Sequence, residues 1–252
     1  MFYGDTLFEI KIDDAKYWKN CVDALVRLVD EGTFSLSKDG IQFKAMDPSG
    51  ISMVCFDMPS KAFSKFEIEK QTDIGLNLEN FYRILSSARP EEQLLMKDSG
   101  GRFLVEFIGK NSRRRYKLPI IEIRKSFENE PKIEFESDLE VKGEAIKEII
   151  KDASLLSTYI GFKTDKNSLV VSAKGDFGEL EEEHIGEGDA IKKMDVKKSA
   201  VASFNLEYLD RMVSACPTGN HIKMHFKTDA LVKIDYKIGD AEVVYYLAPY
   251  IV

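Results

Sequence analysis

Two hydrophobic periods take turns along this chain. Leu7 to Ile12 alternate apolar and polar positions, which predicts a strand. Trp18, Cys21, Val22, Leu25, Leu28 and Val29 then recur at spacings of three and four, predicting a helix over about 15–30. Lys16, Lys19, Asn20, Asp23 and Arg27 fall on its opposite face. Phe34-Ser-Leu and Ile41-Gln-Phe flank a Lys38-Asp39-Gly40 turn, as in a hairpin. Strand patterns continue through Ile51–Met58 and about 65–70. Asn77 is a candidate cap for a second helix reaching about Ala88 and stopped by Pro90. Leu94–Lys97, Arg102–Ile108 and Arg113–Ile121 read as strands.

The same order then returns. A strand over 133–141 leads to a helix over 143–157, a hairpin around Asp165-Lys-Asn, and strands over 168–174 and 178–185. Gly186-Glu-Gly-Asp-Ala reads as a loop. A strand over 199–203 precedes a helix over 205–216 ended by Pro217, and strands fill 221–227, 230–238 and 241–247. Residues 77–86, Asn-Leu-Glu-Asn-Phe-Tyr-Arg-Ile-Leu-Ser, reappear at 205–214 as Asn-Leu-Glu-Tyr-Leu-Asp-Arg-Met-Val-Ser, a shift of 128. That shift also pairs Lys19 with Lys147, Trp18 with Ile146, Val22 with Ile150 and Ala45 with Ala173. A repeat of half the chain length is a tandem duplication. The expected fold is α+β: two β-rich domains, 1–121 and 133–252, each with two helices packed on sheet. Residues 122–132, polar with one Pro, form the connector.

Composition narrows the function. Hydrophobic residues make up 44% of 252 and charged ones 31%, ample for two cores. A net charge of −7 argues against a protein that coats nucleic acid with its whole surface, though not against a local basic face. Cys21, Cys55 and Cys216 each lie in an apolar run, an odd and scattered set that is neither a disulfide framework nor a metal knuckle. The opening Met-Phe-Tyr-Gly-Asp lacks a targeting pattern and no apolar run approaches membrane length. An intracellular, soluble protein is expected.

The polar helix faces carry Lys16, Lys19, Arg27, Arg83, Lys147, Lys151 and Arg211. Singly, each is an ordinary solvated residue. The repeat keeps a cation at equivalent places, Lys19 with Lys147 and Arg83 with Arg211. Cations at equivalent points of a pseudo-symmetric object suit a pseudo-symmetric polyanion such as duplex DNA. Contacts with phosphates alone bind without reading sequence.

Gly40-Ile-Gln-Phe-Lys-Ala-Met-Asp-Pro-Ser-Gly-Ile-Ser-Met-Val54 closely resembles the signature loop of the sliding clamps of the proliferating cell nuclear antigen family, and Tyr245-Tyr-Leu-Ala-Pro-Tyr250 resembles that family's C-terminal strand and tail. The resemblance implies a protomer that trimerises head to tail into a pseudo-six-fold ring. Helices would line the hole around double-stranded DNA, with no sequence preference, and the seven cations would face it. Glu79, Glu144, Glu148, Glu207 and Asp210 share those helices, bringing their charge to about zero and favouring sliding over tight binding. The resemblance further implies a pocket for short apolar peptides of DNA polymerase, clamp loader, flap endonuclease and DNA ligase. The matching positions are Met46, Ile51, Met53, Ile121, Ile123, Leu231, Tyr246, Ala248 and Pro249. Isolated isoleucines in a polar linker and methionines on an adaptable surface fit such a site; pinning of the linker to its sheet is the alternative. The connector departs from the commoner acidic type at Arg124-Lys125. An end at Val252 without an acidic tail points to an archaeal, cytoplasmic protein, or a nuclear one if eukaryotic.

The most basic run, Lys110-Asn-Ser-Arg113-Arg114-Arg115-Tyr116-Lys117 followed by Leu118, and the most acidic, Glu179-Leu180-Glu181-Glu182-Glu183-His184, both read as strands. As exposed edges of opposite charge they are expected to pair between neighbouring copies, closing a homotrimer. Catalysis has little to stand on. His221 and His225 share a strand face without a third ligand, and neither GxxxxGK[ST] nor GxGxxG occurs. No cofactor or metal is expected. The alternatives are one subunit of a heterotrimeric replicative or checkpoint clamp and, more distantly, a Mg-dependent nuclease or phosphatase using Asp176, Glu179, Glu181, Glu182, Glu183 and Asp189.

Overall fold

A computed structural model describes residues 7–123 and 129–251; residues 1–6, residues 124–128 with the connector's Arg124 and Lys125, and Val252 lie outside them. The chain divides into two compact units. One comprises 1–48, 54–128 and 238–243, the other 49–53, 129–237 and 244–252.

The first half of the chain runs β1 (Phe8–Ile12), α1 (Ala15–Val26), β2 (Glu31–Ser37), β3 (Gly40–Met46), β4 (Ser52–Pro59), β5 (Lys65–Ile68), β6 (Thr72–Asn77), α2 (Leu78–Leu85), β7 (Gln93–Asp98), β8 (Arg102–Ile108) and β9 (Arg113–Pro119). The second runs β10 (Ser137–Lys142), α3 (Gly143–Ser154), β11 (Tyr159–Asp165), β12 (Ser168–Gly175), β13 (Gly178–Ile185), β14 (Ile191–Val196), β15 (Ala200–Asn205), α4 (Leu206–Ser214), β16 (His221–Phe226), β17 (Val232–Ile238) and β18 (Ala241–Leu247). Strand orders repeat: β5-β1-β7-β8-β9 against β14-β10-β16-β17-β18, and β4-β3-β2-β6 against β13-β12-β11-β15. A shift of 128 carries α1 onto α3, β2 onto β11, β6 onto β15, β7 onto β16 and β9 onto β18 without a residue's slip. The hairpin at Lys38-Asp39 holds the expected register, with Phe34 opposite Phe43 and Ser37 opposite Gly40.

Local chemistry sets the helices. Asp14 caps α1 by accepting the Lys16 N–H at 2.8 Å. Asn77 accepts the Asn80 N–H at 2.9 Å, and Asn205 accepts those of Glu207 and Tyr208 at 2.9 and 3.3 Å. Trp18, Cys21, Val22 and Leu25 bury one face of α1. The helix ends at Val26, short of the expected 30, because the chain tightens there: Leu28 N–H reaches Leu25 O at 3.1 Å. Leu28 and Val29 keep the apolar spacing and stay buried, but outside the helix. Likewise α2 stops at Leu85, where Ser87 and Ala88 close turns onto Ile84 and Leu85. Strand β10 starts at Ser137 and not at 133. Strands β6 and β14 go beyond the expected set; the Gly186–Ala190 segment is a loop, and β14 follows it.

The two cores differ in content. In the first unit Trp18 lies about 6.1 Å from Phe34 and Phe56 and 6.0 Å from Phe63, ring to ring. In the second, Phe162, Phe204 and Phe226 cluster, and they and Ile146, Ile149 and Ile150 are all buried. Each such side chain contributes roughly 1.5–3 kcal/mol of burial. Cys21, Cys55 and Cys216 are buried and in no disulfide, and desolvation pushes the Cys216 thiol up to about 11, which leaves it unreactive at neutral pH.

Candidate nucleic-acid interface and assembly edges

The four helices present the seven expected cations in different states. Lys16, Arg83 and Lys151 are exposed. Lys19 lies over the Tyr82 ring at 5.6 Å. Arg27 forms a fork on Asp23, one turn back, at 3.0 and 3.1 Å. Lys147 donates to the Cys216 carbonyl at 2.7 Å, tying α3 to the end of α4. Arg211 pairs with Glu207 one turn earlier and lies 5.9 Å from the Tyr208 ring. Equivalent cations therefore have unequal freedom: Lys147 is held by a backbone carbonyl where its counterpart Lys19 rests on an aromatic face. Exposed ion pairs of this kind contribute about 0–1 kcal/mol and exchange readily for phosphate. The outward helix faces as a whole mix both signs.

Strands β9 and β13 each end a sheet. Alternation along β9 turns Arg113, Arg115, Lys117 and Pro119 to the exposed side and Arg114, Tyr116 and Leu118 to the other. Arg113 and Arg115 share the buried Glu106 carboxylate at 3.5 and 3.0 Å. Arg114 is not part of the exposed stripe: its guanidinium bonds Glu92 at 2.6 Å and Ser87 at 3.0 and 3.1 Å, and lies 4.7 Å from the Phe107 ring. Leu118 is buried, and the half-buried Tyr116 packs edge-on against Phe107 at 6.0 Å within its own unit. On β13, Glu179, Glu181 and Glu183 are exposed, while Leu180, Glu182 and His184 face the half-buried side. Lys174 pairs with Glu179 at 2.5 Å, and Glu182 with His184 at 2.9 Å. Each edge thus shows a period-two stripe of three like charges, cations on β9 and anions on β13.

The expected peptide pocket is unevenly accessible. Met46 and Leu231 are half-buried and Ile51 is exposed, but Met53 and Tyr246 are 3% and 6% exposed. Both lie on the strand faces opposite Phe56 and Tyr245, and the Tyr246 hydroxyl donates to Glu130 at 3.0 Å. In the first unit the segment after β9 lies along β6, Ile121 N–H donating to Gly75 O at 2.9 Å, and Ile121 and Ile123 are half-buried. A Cβ on Gly75 would stand 2.1 Å from the Ile121 carbonyl oxygen, so only glycine admits the approach. In the second unit the tail repeats the arrangement: Tyr250 N–H donates to Ser203 O at 2.7 Å and its ring stacks on Tyr159 at 3.6 Å. Ala248 N–H donates to Ile51 O at 2.8 Å, and Ala248 and Pro249 are half-buried.

Models of the N-terminal and C-terminal domains of proliferating cell nuclear antigen match residues 7–126 and 129–251. The chain belongs to the proliferating cell nuclear antigen family. Proteins named DNA polymerase sliding clamp from Thermococcus onnurineus and Pyrococcus furiosus are each 28% identical to it, over 96% of this chain and 98% of theirs. A solved proliferating cell nuclear antigen from Thermococcus kodakaraensis superposes with a TM-score of 0.91 at 26% identity, covering 96% of this chain and all of that one. One from Entamoeba histolytica reaches 0.90 at 22% identity over 98% and 100%, a likeness of fold.

Burial also singles out exposed apolar residues that sequence reading did not. Phe177 at the β12–β13 turn, Ile185 at the end of β13 and Leu155 after α3 are 80%, 72% and 67% exposed. Two of them, Phe177 and Ile185, flank the acidic edge strand β13. Their individual positions carry no periodic signal, which is why patterning overlooked them. Of the carboxylates of the enzyme alternative, Glu179, Glu181 and Glu183 share the exposed face of β13 and Glu182 lies on the other. His221 and His225 do share a strand face, as expected. The two nitrogens of His225 meet Asp138 at 2.5 Å and Asp235 at 2.8 Å, and among the described residues no group of three or more His, Cys, Asp or Glu is arranged for a metal ion. No helix among the described residues is long and apolar enough to cross a membrane.

Proposed function

We propose that this chain is a DNA polymerase sliding clamp: a homotrimeric ring that encircles duplex DNA without reading its sequence and holds replication and repair enzymes on it. Clamp domains 1–121 and 133–252, joined by 122–132, supply six similar segments per ring. The observation that carries the reading is the pair of complementary edges. Three alternate cations on β9 and three alternate anions on β13 belong to one chain, so a head-to-tail contact between copies satisfies both and closes on itself. Backbone ladder bonds and the exposed Phe177, Leu155 and Ile185 supply most of the affinity; charge selects partner and direction. Glu179, Glu181 and Glu183 with Arg113, Arg115 and Lys117 form that contact, and Arg114, Tyr116, Leu118, Leu180 and Glu182 support it from behind.

Lys16, Arg83 and Lys151 meet phosphates directly in this reading, while Lys19, Arg27, Lys147 and Arg211 add field from partly engaged positions. An acidic molecule with a nearly neutral helix lining slides because closure retains the DNA and tight contacts do not. Partner peptides of DNA polymerase, clamp loader, flap endonuclease and DNA ligase use Met46, Ile51, Met53, Ile121, Ile123, Leu231, Tyr246, Ala248 and Pro249. The protein works in the cytoplasm and performs no catalysis itself.

Two measurements test this. Light scattering of the purified chain is expected to give three times the protomer mass, and Arg113→Glu with Arg115→Glu and Lys117→Glu is expected to give monomers. After loading by a clamp loader, the ring should remain on circular DNA and run off once the circle is cut. A trimer that survives the charge reversal, or equal retention on cut and closed DNA, defeats the proposal.

A further inference from the structure

Within the second unit the expected peptide site has an open rim and a closed floor. Ile51 is exposed and Leu231, Ala248 and Pro249 are half-buried, so the rim can be reached. Met53 and Tyr246 are almost fully buried, and strand alternation does not account for it. On β18 the core-facing neighbour is Tyr245, whose hydroxyl meets that of the buried Tyr236 at 3.2 Å, so Tyr246 points to the other face. Met53 likewise lies on the face of β4 opposite Phe56, whose ring meets Trp18 at 6.1 Å. Side chains on an outer sheet face stay this dry only beneath a cover. The contact that shows the cover is the bond from the Tyr246 hydroxyl to Glu130 Oε2 at 3.0 Å. Glu130 lies in the end of the connector that packs with this unit. The other walls are pinned more firmly. Ala248 N–H donates to Ile51 O at 2.8 Å, Tyr250 N–H to Ser203 O at 2.7 Å, and the Ser49 and Tyr208 hydroxyls share a bond at 3.1 Å. Tail and signature loop are thus fixed through the backbone, whereas the cover meets the floor through a side chain of a polar linker.

Resting on the peptide-site reading above, we propose that the Glu130–Tyr246 bond is a latch over Met53 and Tyr246, and that an apolar partner peptide gains this floor only by displacing Glu130. With the latch closed, the rim alone offers apolar contact. When it opens, the Glu130 carboxylate turns out to water, where hydration replaces the lost bond, and the Tyr246 hydroxyl donates to the peptide or to solvent. Exchanging one hydrogen bond for another costs little, so the latch sets a threshold without barring the site. A peptide with only small side chains gains nothing from the floor and leaves the latch shut. One with a large apolar side chain buries it against Met53 and the Tyr246 ring and opens the latch. Glu130 therefore selects partners by the size of their apolar anchor.

The test is binding of a fluorescent peptide from the C-terminal region of a flap endonuclease to the full chain. Wild type is compared with Tyr246→Phe, Glu130→Gln, the double variant and Ile51→Asp. Tyr246→Phe keeps the ring and removes the donor; Glu130→Gln keeps the shape and removes the charge. Each is expected to bind roughly three- to tenfold more tightly than wild type, the size of one net hydrogen bond. The double variant should bind no more tightly than the better single one, because both changes break the same bond. The same peptide with alanine in place of its large apolar side chains should bind wild type and both single variants alike. If the single variants bind like wild type or more weakly, or their gains add, while Ile51→Asp still loses the peptide, the latch is wrong and the site stands. If Ile51→Asp binds as well as wild type, the peptide seats elsewhere and the inference falls with the reading it rests on.

Discussion

The two halves of this chain share a backbone plan and differ in nearly every side chain that matters. Trp18 fills the first core where Ile146 fills the second, both fully packed. Asp14 caps α1, whereas α3 begins at Lys142 with no side-chain cap. Gly75 admits the connector where Ser203 admits the tail. The outer strand of one half carries Arg113, Arg115 and Lys117, and that of the other Glu179, Glu181 and Glu183. Patterning and turn chemistry suffice to rebuild a fold twice, because burial needs only apolar residues at the right period. The proposed assembly needs the halves to differ, since two like-charged edges would repel and neither would select a partner.

The comparison breaks first in the cores. Trp18→Ala is expected to cost about 4 kcal/mol and Ile146→Ala about 3 kcal/mol in denaturant unfolding. Ile146→Trp should not be neutral: the second core has no space for an indole, and overpacking costs about 1–3 kcal/mol. A neutral Ile146→Trp would mean the cores are interchangeable. Next, Gly75→Ser, which imports the residue of the second half, should cost about 1–3 kcal/mol through its clash with the Ile121 carbonyl, and should speed hydrogen exchange of the Ile121 amide. Ser203→Gly should cost about 1 kcal/mol or less. Equal effects would remove the reason for the glycine.

Helix capping gives a smaller contrast. Asp14→Ala should destabilise by about 1 kcal/mol, while Lys142→Asp should stabilise by roughly 0.5–1 kcal/mol, read as opposite shifts of the unfolding midpoint.

The smallest effect concerns acid. The bond from Lys198, with those from Thr228, holds the Glu136 carboxyl down at about 2 from an ordinary 4.5, where the first half has Phe8 at the equivalent position. A depressed carboxylate adds stability above its unfolded value and loses it as pH falls through the folded one. Burial raises Asp235, but the bond from His225 and the nearby Lys233 outweigh it and hold it below its usual range. Glu136→Gln should therefore flatten part of the stability loss between pH 4.5 and about 2. A profile as steep as wild type would show that this carboxylate is not coupled to folding.

Much of this fold is legible from short stretches of sequence. Hairpins announced by Lys38-Asp39-Gly40 and Asp165-Lys-Asn, and helices started by Asn77 and Asn205, depend on neighbours within a few residues. Strands β6 and β14 were illegible for opposite reasons. Thr72-Asp-Ile-Gly-Leu-Asn breaks its alternation with Gly75, required by a chain segment 46 residues away. Ile191-Lys-Lys-Met-Asp-Val is an edge whose charged residues pair with β10, Lys192 reaching Glu140 at 2.9 Å, so it has little apolar signal. The basic run on β9 misled in one residue: Arg114 looks like its neighbours in sequence but points the other way, onto Glu92 and Ser87.

The order of amino acids by itself determined the duplication, the strand and helix order of each half, the caps, and the two oppositely charged segments, because these rest on local periodicity and on side chains acting on their own backbone. Tertiary structure alone decided which charges remain free to meet something else. Whether Lys147 reaches a carbonyl, Lys19 an aromatic ring, or Phe177 nothing but solvent depends on residues brought together from distant parts of the chain, and a linear pattern carries no record of that distance.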